Sequence, residues 1–284
     1  MVNRSKVSPG LVGFYLLLGF VGFIAMLPLL YMVATSLKTY GETVTRVSSN
    51  PFHPFFWPKW NNLQFVNYLV SWQEGIGSYF RNSVIISTVT TLGILVTSIP
   101  AAYAFSKLRF WGKNTLFTIL LLTLMIPETV LTIPNYLTVA ALGWIDSLAA
   151  LTVPFMAGAF YIFLLRQFFS QIPNALLESA RIDGATNFRT MISISIPLVK
   201  GPLFTISFLG FTGAWNALQW PLVVTLTETW RPLTVGLLKF MSEAGPESQL
   251  RMAGAAIALL PIVLVYIVAQ KQITDAITQS GVKG

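Results

Sequence analysis

The chain has 284 residues, of which 54% are hydrophobic and only 10% charged, and its mean hydropathy is +0.68. Soluble domains carry about a quarter charged residues, so too little polar material is present to face water all round, and most of the exterior is expected to face lipid. The absence of cysteine and the single histidine, His53, exclude a disulfide framework, an iron–sulfur cluster and a thiolate or His-based zinc site, so no metal centre is expected.

Residues 1–10 are short and polar, with Arg4 and Lys6. Residues 11–36 follow without a charge. That is longer than the apolar core of a signal peptide, about 7–15 residues, and the stretch reads as a retained membrane helix. Residues 37–79 are expected to form an external loop, with PFHPFFWPKW at 51–60 suited to the headgroup level. The other reading, an aromatic nucleic-acid surface, finds no basic cluster beside it. From 80 to 272 the pattern gives a core of five further spans. The second is expected over 80–105 with a kink at Pro100, followed by a basic turn at 106–113 holding Lys107, Arg109 and Lys113. The third covers 114–132, where Pro127 and Glu128 suggest a break lined by protein or water rather than lipid. A short interfacial piece is expected at 135–147 and the fourth span at 148–165. The fifth covers 201–226, a polar loop 227–251, and the sixth span 252–269. A polar tail, 273–284, closes the chain. The fold class is therefore an all-α membrane protein with six transmembrane helices, and no internal repeat is evident.

An even number of spans puts both termini on one side. The termini, the 106–113 turn and the segment 166–200 hold 11 basic residues against three acids (Glu178, Asp183, Asp275), whereas the opposite side holds seven of each. The whole net charge of +8 therefore falls on one face. By the positive-inside rule that face is cytoplasmic, in the inner (plasma) membrane of a prokaryote. The basic charge is thus accounted for by the bilayer, and no nucleic-acid partner is expected.

Between the fourth and fifth spans lies a polar interruption, QIPNALLESARIDGATNFRTMISISIPLVK at 171–200. Pro173 suits the start of a helix, Asp183-Gly184 suits its left-handed end, and a second helix is expected over 186–196 until Pro197 breaks it. Glu178-Ser179-Ala180, Asp183-Gly184-Ala185, Ile194 and Ile196-Pro197 resemble the EAA motif of ABC importer membrane subunits, with Ser for the first Ala and Ile for the Leu. Without the resemblance, the stretch is an amphipathic hairpin with ordinary caps. The chain has no phosphate-binding loop, nucleophile elbow or H-E-x-x-H of its own.

The resemblance reaches further. The W-N-x-x-x-W-P run from Trp215 to Pro221 and the closing Gly281-Val282-Lys283-Gly284 look like the carbohydrate-uptake, maltose-transport-like branch of binding-protein-dependent permeases. The resemblance implies a non-catalytic subunit of an ATP-driven importer of a di- or oligosaccharide. Its partners would be a second homologous permease in a heterodimer, two ABC ATPase subunits that bind the ATP and Mg, and a periplasmic sugar-binding protein. It assigns ATPase coupling to Glu178, Ser179, Ala180, Asp183, Gly184, Ala185 and Pro197. It also implies that the tail, 281–284, reaches the ATPase dimer interface. A secondary transporter or channel driven by an ion gradient is the alternative, but such proteins show intramembrane carboxylates, and Glu128 is the single candidate.

For the substrate pathway, Thr212, Trp215 and Gln219 fall on one stripe of a straight helix, with Asn216 and Trp220 beside it. Amides within a span are costly against lipid, and sugars suit amides for their hydroxyls and aromatic rings for their apolar faces. The competing reading has Asn216 and Gln219 bonding neighbouring helices, and Trp220 in the outer aromatic belt.

Overall fold

The computed structural model describes residues 9–44, 57–243 and 247–281, and every regular element among them is helical. Arg4, Lys6, His53, the aromatic run as far as Phe56 and the last three residues of the tail lie outside the described residues. The chain falls into two compact units, Met1–Ile76 with Lys239–Leu259 and Gly77–Leu238 with Leu260–Gly284.

In the first unit, α1 (Pro9–Ser36) is apolar on every side and exposed along nearly its whole length, Leu16 by 70% and Phe20 by 62%. A helix apolar all round belongs in lipid. A capping box starts the next helix, α2 (Tyr40–Val44): the Glu42 carboxylate accepts from the Thr39 amide at 2.8 Å, and the Glu42 amide donates to Thr39 Oγ1. The expected loop 37–79 is helical again from α3 (Val66–Ser71), whose buried Asn67 donates to the carbonyls of Ser36 at 2.8 Å and Lys38 at 2.9 Å. Asn67 thereby ties α3 to the chain that leaves α1. Gly75, at φ 122°, interrupts the helical geometry that leads into α4 (Gly77–Lys107).

In the second unit, α4 runs through Pro100 without a break. The turn 106–113 leads to α5 (Lys113–Thr123), and the next helical stretch, Glu128–Ala141, which ends in α6 (Thr132–Ala141), leaves it at 90°. The expected third span therefore ends early. Pro127 is extended (ψ 133°) and has no amide to continue the helix, and most of the predicted interfacial piece is helix instead. Then come α7 (Leu148–Thr152) and, after a 44° bend at Gly158, α8 (Ala159–Gln171). The remaining elements are α9 (Asn174–Ile182), α10 (Asn187–Thr190), α11 (Ile196–Leu198), α12 (Lys200–Trp215), α13 (Gln219–Val224), α14 (Leu233–Glu243) and α15 (Ser248–Gly281). The sixth apolar helix thus continues into the expected tail, where Lys271 to Ser280 contains neither Gly nor Pro to stop it. Three helices are long and apolar enough to cross a membrane, and counting each of three bent pairs as one span gives six.

Packing in this unit centres on α4, with α8 and α12 against it. Ser83, Ser87, Thr91 and Ser98 are buried along one face of α4 at helical spacing. Gly210 of α12 approaches that face so closely that an added Cβ would lie 3.0 Å from Ile94 Cδ1. Small residues permit such contact between helices where lipid supplies no hydrophobic drive. Four hydroxyls bond within their own helices, Thr91 to the Ser87 carbonyl, Thr205 to Gly201, Ser207 to Leu203 and Thr212 to Phe208, whereas Ser83 accepts from the Leu233 amide and the buried hydroxyls of Ser87, Thr90 and Ser98 have no partner among the described residues.

Candidate functional site

The hairpin between α8 and α12 has one face fixed to the core and one face free. On α9, Leu177 and Ala180, three residues apart, are 3% and 9% exposed, and Leu177 joins a cluster with Ala102 and Tyr103 of α4, Leu165 and Phe169 of α8, and Ile206 of α12. Glu178, Ser179 and Ile182 share the opposite face and are exposed. The helix ends in a Schellman motif. The Ala185 amide donates to the Ala180 carbonyl at 2.9 Å and the Gly184 amide to Arg181 at 3.0 Å, with Gly184 at φ 81°. No atom of this chain lies within 4 Å of a Cβ built on Gly184, so the glycine answers to backbone conformation and not to crowding within the chain. Asp183, the exposed C-cap, and Ala185 complete the turn. Thr186 then caps α10, its hydroxyl accepting from the Arg189 amide.

Pro197 does not itself break the second helix. Helical geometry continues to Leu198, and Val199, buried at φ −111°, begins an 85° turn into α12. The missing amide and ring of Pro197 are accommodated by a widened π turn over Met191–Ser195.

The basic turn 106–113 holds the hairpin from below. Lys107 donates from Nζ to the Ile172 carbonyl at 2.6 Å and to Asn174 Oδ1 at 3.1 Å, so the end of α4 is tied to the start of α9. Arg166 donates to the Phe105 carbonyl at 3.0 Å while its guanidinium lies 3.9 Å from the centroid of the Phe117 ring. Lys113 bonds the carbonyls of Ser106 and Leu108. Lys107, Lys113 and Arg166, which the sequence reading counts as topological charge, are thus also braces.

Sequence reasoning missed the apolar side chains at the tip. Ile182 is 86% exposed and Phe188 68%. The signal was available: large apolar residues exposed within a polar stretch between two apolar segments mark a candidate interaction surface.

The second expected site is organised differently from its prediction. A straight helix through Thr212, Trp215 and Gln219 does not exist, because α12 stops at Trp215 and α13 restarts at Gln219 after Asn216 (ψ 0°) and Leu218 (φ −126°). Pro221, in the first turn of α13, has no amide for the carbonyl of Ala217, which accepts from the Thr234 hydroxyl at 2.6 Å instead. Trp215 is 2% exposed, stacked on Phe211 and edge-on to Phe80. Trp220 is also buried, its indole donating to the Ala150 carbonyl at 2.9 Å. Both rings are engaged within the chain. Asn216 and Gln219 are exposed at the break, and Thr212 is half-buried.

A sequence profile described as "Binding-protein-dependent transport system inner membrane component" matches residues 93–279. The arabinooligosaccharides transport system permease protein AraQ of Halalkalibacterium halodurans is 29% identical over 285 residues, 99% of this chain and 100% of that protein. The sn-glycerol-3-phosphate transport system permease protein UgpE of Yersinia pestis is 33% identical over 230 residues, 78% of this chain and 80% of that protein. Among solved structures, a bacterial ABC transporter involved in the import of the acidic polysaccharide alginate aligns with a TM-score of 0.81 at 26% identity, covering 95% of this chain and 98% of that one.

Proposed function

The chain belongs to the family of binding-protein-dependent transport system inner membrane components, and from that membership we propose that it carries a sugar, in the form of an oligosaccharide, across the inner membrane with energy from separate ATPase subunits. The observation that carries the coupling half of this reading is the two-faced hairpin: Leu177 locked into the α4–α8–α12 core with Ala180 buried on the same face, Ile182 and Phe188 presented outward. An ATPase subunit with an apolar cleft would grip that outward face. Glu178 and Ser179 lie on the gripped side, and Gly184, Asp183 and Ala185 set the sharp turn that keeps the tip narrow.

Movement of the tip then has a route into the membrane. Protein interiors are close-packed and transmit displacement rather than absorbing it. A shift of α9 is passed to α4 through Leu177 and the Lys107 brace, and to α12 through the right-angle turn at Val199. The amides of Asn216 and Gln219, exposed where α12 breaks, would meet sugar hydroxyls in a cavity shared with a second permease; broken helices lining a pathway are a recurring transporter device. A periplasmic binding protein would deliver the sugar. The ATP and its Mg belong to the ATPase subunits, so this subunit performs no chemistry itself.

The reading has six crossings, each bent pair counted once, with hairpin and termini in the cytoplasm. A cysteine at Thr186 should react with an impermeant thiol reagent only once the cytoplasmic face is opened, and one at Thr227 should react in intact spheroplasts; labelling of both from one side overturns it. The function itself is tested by reconstituting the complex with its binding protein and measuring ATP hydrolysis against a panel of sugars. Stimulation by one class of oligosaccharide supports the proposal. Hydrolysis indifferent to every sugar, or no association with an ATPase subunit, refutes it.

A further inference from the structure

At the hairpin end of the second unit, the turn between α4 and α5 forms an open cleft of about 380 Å³ lined by Leu108, Arg109, Phe110, Gly112, Lys113, Asn114 and Thr115. Lys113 is fixed at its wall, with two of its three donors on the carbonyls of Ser106 and Leu108, so its charge stays in place. Arg109 is exposed, and no acidic side chain pairs with it among the described residues. Beside the cleft stand Trp111, 97% exposed, and Phe110, 40% exposed. Neighbouring cations with an uncovered tryptophan are an unstable arrangement in water and a suitable one at the headgroup level, where the indole is both apolar and polar.

From the cleft an apolar face descends along α5: Leu116 is 50% exposed, Ile119 54% and Leu122 55%. At about 1.5 Å per residue these three span roughly 9 Å below the cations. A headgroup phosphate between Arg109 and Lys113 would therefore have its acyl chains alongside a surface of matching chemistry, which a soluble anion would leave uncovered. Basic pockets between membrane helices on the cytoplasmic side suit anionic lipid headgroups.

We propose that the α4–α5 turn is a binding site for an anionic phospholipid of the cytoplasmic leaflet. The headgroup is held by Arg109 and Lys113, the glycerol region lies against Trp111, and the acyl chains lie on Leu116, Ile119 and Leu122. The placement in the cytoplasmic leaflet rests on the topology proposed above. Because Lys107 in the same turn is bonded to Ile172 and Asn174, lipid bound here is adjacent to the brace of the coupling hairpin, while none of its contacts belongs to the hairpin.

The test uses the full permease–ATPase complex, extracted in mild detergent from liposomes of phosphatidylcholine with phosphatidylglycerol, and read by native mass spectrometry for retained lipid. The native complex should keep phosphatidylglycerol in preference to phosphatidylcholine. Arg109→Gln should lower that retention about fivefold, the typical effect of one basic residue near an anionic surface; Arg109→Lys should restore most of it, and Trp111→Ala should lower it independently. Inorganic phosphate at millimolar concentration should not displace the lipid. Equal retention in Arg109→Gln and the native complex overturns the proposal, as does displacement by inorganic phosphate, which would make the cleft a site for soluble anions. Assembly of the variants with the ATPase subunits, scored in the same spectra, separates failure of this site from failure of the coupling reading.

Discussion

Replacing Ile182 and Phe188 by alanine removes the apolar tip of the hairpin without touching its anchored face. Full burial of an isoleucine or phenylalanine side chain is worth roughly 1.5–3 kcal/mol. In the free chain Ile182 is 86% exposed and Phe188 68%, so nearly the whole of the first and about two-thirds of the second remain to be buried by a partner. Allowing for the methyl that alanine keeps, each truncation should weaken docking of the ATPase subunit by about 1–2 kcal/mol, or roughly 5- to 30-fold. The pair together should cost about 2–4 kcal/mol, roughly 30- to 900-fold. The assay is titration of the purified ATPase subunit onto the permease in nanodiscs, with dissociation constants for single and double variants. Leu177→Ala is the control, since a buried leucine truncated to alanine typically costs 2–5 kcal/mol of fold stability. It should lower the unfolding temperature, whereas the tip variants should leave it unchanged. If the double variant binds the ATPase subunit with native affinity, the grip lies elsewhere and the two-faced hairpin is only a cytoplasmic loop.

Glu178→Lys should insert normally but weaken ATPase docking and uptake through charge reversal on the gripped face. Gly184→Val should do the same through the strain of a β-branched residue at φ 81°, and native uptake by both would sink the coupling role. Asn216→Ala and Gln219→Leu should lower sugar uptake or change its selectivity while leaving ATPase assembly intact; unchanged rate and affinity for the native sugar would place the sugar contacts on the partner permease. Asp146 clasps the following loop, its carboxylate accepting from the amides of Leu226 and Thr227 and from the Thr227 hydroxyl at 2.6 Å. Partial burial raises its pKa, but those donors and nearby Arg231 outweigh it and hold the group below the usual carboxylate range. A depressed pKa stabilises above the unfolded value of about 3.9 and is lost as pH falls through the folded one. Amide-exchange protection of residues 225–229, corrected for intrinsic exchange rates, should therefore be steady from neutral pH to about 4 and fall below it. Asp146→Asn should start low and show no such fall, and a fall identical to that of the native chain would assign the effect to another group.

The hairpin was the most legible part of the chain because its signals are local. Pro173, the Asp183-Gly184 stop and the Thr186 cap each act within a few residues, and α9 falls where they place it. The bends were harder to read. Pro127 was recognised as an interruption, but the 90° turn that follows depends on tertiary packing that no window of hydropathy contains. Around Asn216 neither Gly nor Pro stands between Ala214 and Trp220, so a straight stripe is the natural reading of the sequence. The restart is what Pro221 fits, in the first turn of α13, with a hydroxyl from Thr234 taking the carbonyl of Ala217 that it leaves free. Trp215 and Trp220 looked like sugar platforms because aromatic residues serve packing and recognition equally well, and their neighbours Phe211, Phe80 and Ala150 were out of sequence range.

The hydroxyls between α4 and α12 have a mechanical meaning. Thr91, Thr205, Ser207 and Thr212 each satisfy their hydrogen within their own helix, so none of the four is committed to a bond between the helices, and close contact such as that of Gly210 with Ile94 rests on dispersion, which is summed over many weak contacts and has no fixed direction. A seam of that kind behaves as a bearing. One helix can shift along the other without breaking any hydrogen bond that these four hydroxyls make. Bonds across the seam would have made it a rivet, and any stroke delivered from the cytoplasm would then have had to break them one by one.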